Sequence, residues 1–311
     1  MIVMKAAIIN QYGHADELIY TDVHEPEVGA HDILIEIKAT SVNPLDWKIR
    51  EGYAQQILTY EFPLILGWDA AGVIKKVGSH VTKFAEGDKV YTSPDVKRNG
   101  TYAEYVAVNE RYVAKKPKRL SFEEAASIPL VGISSWQSLV DSAKVSEGDR
   151  VLIHAGAGGV GSFAIQLAKA LGCWVATTAS SKNVDFLKQL GADQVINYEE
   201  EQFVDILSPV DVVFDTLGGE IQEQSYDVLK KGGRLVSIVD VPDEQTAKKY
   251  GVKVFFVSND QEGDKLAKIS ELLDSGDIRP IVGKVMNLSE IQEAHRLSET
   301  KHMRGKIVLK V

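Results

Sequence analysis

The chain has one cysteine, Cys173, among 311 residues. A lone thiol excludes a disulfide framework within the chain and a cysteine-rich metal site, since both need several sulfurs. Basic clusters are scarce too. The formal net charge is -9, and the densest basic stretch is Lys115-Lys116-Pro117-Lys118-Arg119, so a polyanionic nucleic acid would on average be repelled. No apolar run approaches the roughly 20 residues that a membrane-crossing helix requires. The opening MIVMKAAIIN is interrupted by Lys5 and Asn10 before a signal-type stretch can form. These absences point to a cytoplasmic globular protein with neither nucleic acid nor membrane among its partners. A hydrophobic content of 44% over this length allows two domains with separate cores.

What is present changes rhythm along the chain. From Met4 to about Pro117, short apolar runs alternate with turns, predicting strands over 5–9, 33–39, 71–77, 89–93 and 102–108. This half reads as a barrel-like β domain. From about Ser121 the pattern becomes strand, helix, strand, with strands over 150–154, 174–178, 194–196, 210–214, 234–239 and 252–257 and a helix over 182–190. Short strands separated by helices imply a parallel sheet covered on both faces, because parallel neighbours need long crossovers. The tail predicts helices over 265–273 and 288–297 and a last strand over 306–311, which should return to the first domain. The fold class is α/β, with one domain over 1–122 completed by 259–311 and a second over 123–258.

After the first strand of the second domain comes HAGAGGVGS, in which Gly156, Gly158 and Gly161 form a G-x-G-x-x-G pattern. The first glycine makes a tight turn, the second lets a pyrophosphate approach the backbone, and the third lets the next helix pack on the sheet. Gly156, Ala157, Gly158, Gly159, Val160 and Gly161 are therefore candidate dinucleotide-binding residues. Such sites for NAD present an Asp or Glu at the end of the second strand to bind the ribose 2′-hydroxyl. Here that stretch is WVATTASSKN, without an acid. Ser180, Ser181 and Lys182 offer hydroxyls and a cation suited to a 2′-phosphate, so NADPH is the expected cofactor, with Tyr198 flanking its adenosine end.

The segments NPLDWKIREG, FPLILGWDAAGVI, VGSHVTKFAEGDKVY, GTYAEYV, AASIPLVGISSW, AGAGGVG, LGADQVINY and MRGKIVLKV together resemble the medium-chain dehydrogenase/reductase superfamily, in its zinc-free quinone oxidoreductase and enone reductase branch. The resemblance implies a GroES-like β-barrel domain built from both chain ends, a Rossmann domain between, and a cleft where they meet. It also implies a homodimer joined through the strand over 252–257, whose ends are Val252 and Val257; an apolar sheet edge of this kind calls for a cover. Zinc-dependent relatives place a cysteine in the region of Asn43 to Asp46 and a histidine in a Gly-His-Glu motif. This chain has Gly67-Trp68-Asp69 there, and its histidines show no close zinc-type spacing. No metal is expected. A metal-free site suits conjugated acceptors, which delocalise an incoming hydride's charge, better than alcohols, whose oxidation calls for a Lewis acid or strong proton relay.

Asn43 and Tyr53 are the candidate catalytic residues. Asn43 is a neutral hydrogen bonder where the family has an asparagine, or an Asx turn before Pro44. Tyr53 could hydrogen-bond the substrate oxygen as charge develops there, or be a loop tyrosine. Asp46 and Lys48 could pair with each other or with solvent. Ser134 lies where relatives have a small hydroxylated residue near the nicotinamide, or else caps a helix. Leu217, Gly218 and Val239 follow strands whose carboxyl ends should line the nicotinamide. His154 reads as structural, and Tyr60, Phe62 and Trp68 as an apolar wall or as core. The expected activity is NADPH-dependent hydride transfer to a quinone or an α,β-unsaturated carbonyl. The alternatives are an NADPH-binding regulatory or structural protein with little turnover, and a metal-dependent alcohol dehydrogenase.

Overall fold

The structure, a computed structural model, describes residues 3–258 and 262–311. The change of domain expected at 258 and 259 borders on 259–261, outside the described residues. The first strands are β1 (Val3–Ile9), β2 (Ile19–His24), β3 (Asp32–Val42), β4 (Leu64–Ile65), β5 (Ala70–Val77), β6 (Lys89–Thr92), β7 (Tyr105–Asn109) and β8 (Val113–Lys115). Then come β9 (Arg150–Ile153), β10 (Trp174–Ala179), β11 (Gln194–Asn197), β12 (Val210–Asp215), β13 (Leu229–Ser237) and β14 (Lys253–Phe256), and finally β15 (Val282–Asn287) and β16 (Lys306–Lys310). The helices are α1 (Pro44–Arg50), α2 (Phe122–Ala126), α3 (Pro129–Trp136), α4 (Gly159–Ala170), α5 (Val184–Gln189), α6 (Phe203–Ile206), α7 (Gly219–Ser225), α8 (Glu244–Tyr250), α9 (Gly263–Ser275) and α10 (Ile291–Glu299).

Among the described residues, 3–130, 262–275 and 280–311 form one compact unit, and 131–258 with 276–279 form another. The change of unit lies at 130 and 131 rather than at 122 and 123, because α2, begun by a Ser121–Glu124 capping box, packs on β3 and β5.

The spine of the first unit is β3, which pairs antiparallel with β16, β5 and β7. Its Ile33, Ile35 and Ile37 pack with Ile74, Val90, Val106 and Val108 in one core. Alternation of side chains along a strand puts these three on one face. The sheet has the order β15-β16-β3-β5-β6-β8, with β7 beside β3, and a smaller sheet runs β2-β1-β4. The last strand thus does return to the first domain's sheet. The second core joins Ile8, Ile9, Leu66, Trp68 and Tyr102 to Leu288, Ile291, Ile307 and Leu309 from the end of the chain.

The second unit carries a six-stranded parallel sheet in the order β11-β10-β9-β12-β13-β14. This is the doubly wound Rossmann order, in which the connection changes direction between β9 and β12; ligands sit outside the carboxyl ends of the strands there. Leu152, Ala176, Ile196, Val213 and Leu235 fill the core from successive strands.

Three local expectations are corrected. Pro44 opens a helix rather than a turn: it occupies the first position of α1, where a missing N–H costs nothing. Trp68 is completely buried in the first unit's core and forms no wall. Ser134 lies inside α3, which begins at Pro129, so it is not the cap of that helix.

Candidate functional site

The glycine loop leaves β9 through His154 and a left-handed Ala155, at φ 51°, a conformation that strains a residue with a Cβ. His154 is buried, with Nε2 2.9 Å from Ser225 Oγ and Nδ1 3.3 Å from Thr178 Oγ1. Burial pushes its imidazole down to about 4, so it is neutral at physiological pH.

The three motif glycines answer to different demands. A Cβ at Gly156 would stand 2.1 Å from Thr177 Oγ1, and one at Gly161 2.4 Å from the Ala155 carbonyl and 2.7 Å from Gly156 Cα. Packing alone therefore requires those two. At Gly158 the nearest atom to a Cβ would be the Ala155 carbonyl oxygen at 3.5 Å, an ordinary contact. Its φ of -73° suits any residue. Among the described residues nothing requires glycine at 158, whereas a pyrophosphate approaching the backbone would. Gly158 precedes the 12-residue helix α4, whose first N–H groups have no intrahelical acceptor and are suited to receive an anion. Ala157, Gly158, Gly159 and Val160 are half-buried, so the loop's middle is accessible while its ends are enclosed.

At the end of β10, the Ser180 hydroxyl accepts from the Asn183 side chain at 3.2 Å, and Ser181 and Lys182 are exposed. Tyr198, also exposed, anchors through its N–H to the Ala179 carbonyl at 3.1 Å. The backbone bond from Tyr198 to Ala179 brings it beside the segment 180–182. The structure adds a residue that the sequence reading missed: the Glu199 carboxylate accepts the Ser181 N–H at 2.9 Å. An acid from the turn after the third strand thus lies against the end of the second.

The loops after β12 and β13, which carry Leu217, Gly218 and Val239, are joined through Asp215. Its Oδ1 accepts from the N–H groups of Leu217 at 3.0 Å and Gly218 at 2.9 Å. Its Oδ2 accepts from Gln222 at 2.9 Å and Ser237 at 2.7 Å. The Ser237 hydroxyl in turn accepts from the N–H groups of Val239 and Asp240. Gly218 sits at φ 73°, and a Cβ there would meet Asp240 Oδ2 at 2.1 Å. Leu217 is half exposed. Ser134 is buried within α3.

The first unit holds a buried polar cluster around α1. Asn43 is 2% exposed; its amide donates to Asp69 Oδ2 at 2.7 Å and its oxygen accepts from the Lys306 ammonium. Asp69 also accepts from the Ser41 hydroxyl at 2.8 Å, the Leu130 N–H at 2.7 Å and Lys306 at 3.2 Å. Beside this group, Asp46 Oδ2 accepts from the Asn43 N–H at 2.8 Å and the Tyr102 hydroxyl at 2.5 Å. Tyr102 stands 3.2 Å from His295 Nε2, whose Nδ1 faces Arg50 at 2.9 Å. A guanidinium only donates, so the direction runs from Arg50 through His295 and Tyr102 to Asp46. Burial pushes the Asp46 carboxyl up to about 7, against the opposing bonds from Tyr102 and Asn43. Its Oδ1 is buried without a hydrogen-bond partner.

Asp46 therefore pairs with Tyr102 rather than with Lys48 or solvent. Tyr53 is 72% exposed after the end of α1, and its ring lies edge-on to Trp47. Asn43 and Tyr53 bracket this seven-residue helix, which spans about 10 Å, so the two are not in hydrogen-bond reach of each other. Asn43 directs both polar side-chain atoms at Asp69 and Lys306. Tyr60 bonds the Val96 carbonyl, and Phe62 stacks edge-on with Tyr12.

Two family profiles match the chain: "Alcohol dehydrogenase GroES-like domain" over residues 29–118 and "Zinc-binding dehydrogenase" over 190–309. The chain is 35% identical to the NADPH-dependent alkenal/one oxidoreductase of Arabidopsis thaliana, over 98% of this chain and 79% of the relative. It is 36% identical to the 2-methylene-furan-3-one reductase of Solanum lycopersicum over the same shares. The structure of a quinone oxidoreductase from Coxiella burnetii superposes with a TM-score of 0.91 at 39% identity, covering 100% of both chains.

Proposed function

Since the chain belongs to the medium-chain dehydrogenase/reductase superfamily, among its quinone and enone reductases, we propose that it is an NADPH-dependent oxidoreductase acting on quinones or α,β-unsaturated carbonyl compounds. The observation that carries this reading is Gly158, a glycine that the fold does not need and a docked pyrophosphate does. When bound, the nicotinamide supplies a hydride to the acceptor.

The chain's own residues bind and orient. Residues 156–161 and the start of α4 take the pyrophosphate, and Ser180, Ser181, Lys182 and Tyr198 take the phosphorylated ribose. Asp215 sets the positions of Leu217, Gly218 and Val239, the side of the sheet assigned to the nicotinamide. Tyr53, in the turn that follows α1, is the exposed phenol we assign to the acceptor oxygen, and Asn43 fixes the start of that helix. Two observations support reading the site without a catalytic zinc. Trp68 lies in the core where zinc-dependent relatives have a histidine, and among the described residues no three His, Cys, Asp or Glu side chains are grouped to hold an ion. The proposed chemistry therefore runs through conjugated acceptors.

We also propose a homodimer through β14. Among the described residues the strand pairs only with β13, and Phe256 on it is 43% exposed, which leaves an apolar edge to cover. A monomer mass in solution would remove this part of the reading.

The test of activity is NADPH oxidation followed with a panel of quinones, enones and alkenals, with NADH in parallel. Turnover is expected with at least one conjugated acceptor. No oxidation across the panel, with folded protein, would overturn the proposal.

A further inference from the structure

The turn after β11 presses a carboxylate against the segment assigned to the phosphorylated ribose. Glu199 accepts the Ser181 N–H at 2.9 Å, and its own N–H is held by Asn197 Oδ1 at 3.2 Å. Tyr198, one residue earlier, is tied to the Ala179 carbonyl. The turn is thus fixed to the end of β10 by the Tyr198 backbone on one side and by the Glu199 carboxylate on the other. The Ser181 N–H, helped by the Lys182 charge, holds the Glu199 carboxyl below its ordinary range. It is ionised throughout the neutral range.

A 2′-phosphate and this carboxylate compete for the same donors. Each is an anion suited to a backbone N–H and a lysine, and each repels the other. A free ribose 2′-hydroxyl has the opposite relation to Glu199, because a hydroxyl donates to a carboxylate; that is the role an acid plays at the end of the second strand in NAD sites. We propose that Glu199 is a specificity-determining residue, which restrains the preference for 2′-phosphorylated coenzyme and gives the unphosphorylated one an acceptor. This rests on the reading that residues 180–182 receive the adenosine ribose. Because Glu199 is exposed, solvent screens its charge, and the effect is modest and salt-dependent.

The experiment is fluorescence titration of NADPH and NADH against the wild type, Glu199→Gln and Glu223→Gln. Glu223→Gln, on the exposed side of α7, removes the same charge away from Ser181. Glu199→Gln should tighten NADPH about three- to tenfold and weaken NADH about twofold, a gap that narrows with added salt. Glu223→Gln should leave the ratio of the two affinities within about 1.5-fold of wild type. An unchanged ratio in Glu199→Gln, or an equal change in Glu223→Gln, overturns the inference while leaving the coenzyme reading intact. Failure of the wild type to bind either coenzyme overturns that reading and this inference with it.

Discussion

Ser237 donates its hydroxyl to Asp215 at 2.7 Å, and both side chains are fully buried. Through this bond the ends of β12 and β13 share one anchor. Asp215→Asn replaces an oxygen that accepts two hydrogen bonds with an amide that only donates, setting donor against donor. Unfolding in urea should show a loss of about 2–4 kcal/mol, and NADPH binding should weaken as the loops lose their common support. A variant within about 1 kcal/mol of wild type would mean that the loops hold themselves.

The glycine loop separates packing from ligand binding. Gly161→Ala places a Cβ 2.4 Å from the Ala155 carbonyl and should cost about 2 kcal/mol or more. Gly158→Ala meets nothing closer than 3.5 Å and should stay within about 1 kcal/mol of wild type, yet bind NADPH at least about tenfold more weakly. Thermal melts and coenzyme titrations on both variants check this. Undiminished affinity in Gly158→Ala would move the pyrophosphate elsewhere.

Asp46 supplies a pH signature. Its folded carboxyl, raised to about 7 from 3.8, keeps its proton while the unfolded chain loses it between those values. The folded state then binds more protons, so this group's contribution to stability falls as pH rises across that window and levels off above it. The loss is on the order of 2–4 kcal/mol. Asp46→Asn cannot titrate, so its stability relative to wild type should improve by that amount between about pH 4 and about pH 7.5. Urea midpoints measured across this range give the comparison, and parallel profiles for the two proteins would refute it.

Lys306 and Asp69 form a buried ion pair at 3.2 Å, with side chains 6% and 0% exposed. Lys306→Met leaves the Asp69 charge to Ser41, Asn43 and the Leu130 N–H alone, at a cost of about 3–5 kcal/mol. Adding Asp69→Asn removes the stranded charge and should restore about 1–3 kcal/mol. A double-mutant cycle in denaturant measures the coupling; strict additivity would show that the pair does not act as a unit.

The sequence made the parallel sheet and its glycine loop legible because each rests on local signals, an apolar run, a glycine spacing and a helical face. The return of the last strand could be read as well, since a strand arriving after a parallel sheet already complete in sequence order had no place in the second domain. Other features were hidden for physical reasons. β15 buries only Met286 well, and β2 alternates exposed with half-buried residues, so neither shows an apolar run. α1 was masked by Pro44, which marks a turn and a first helical position equally well. Tyr102, which donates to Asp46, and His295 behind it lie 56 and 249 residues from Asp46 along the chain, beyond any window of local periodicity. Glu199 escaped for the same reason: a reading confined to the end of the second strand cannot see an acid delivered by the third.

The position of β16, between β15 and β3 in the seven-stranded sheet, bears on how the molecule is made. Residues 306–310 emerge from the ribosome after every other described strand, so the barrel's hydrogen-bonded framework stays unfinished while its first eight strands wait. The parallel sheet draws all its strands from one uninterrupted stretch and is free to consolidate during synthesis, since domains fold as units as they appear. Nascent chains stalled just beyond residue 258 should already resist proteolysis over β9 to β14 while remaining open to cleavage over β3 to β8; equal protection of both stretches would show that the barrel closes without its final strand.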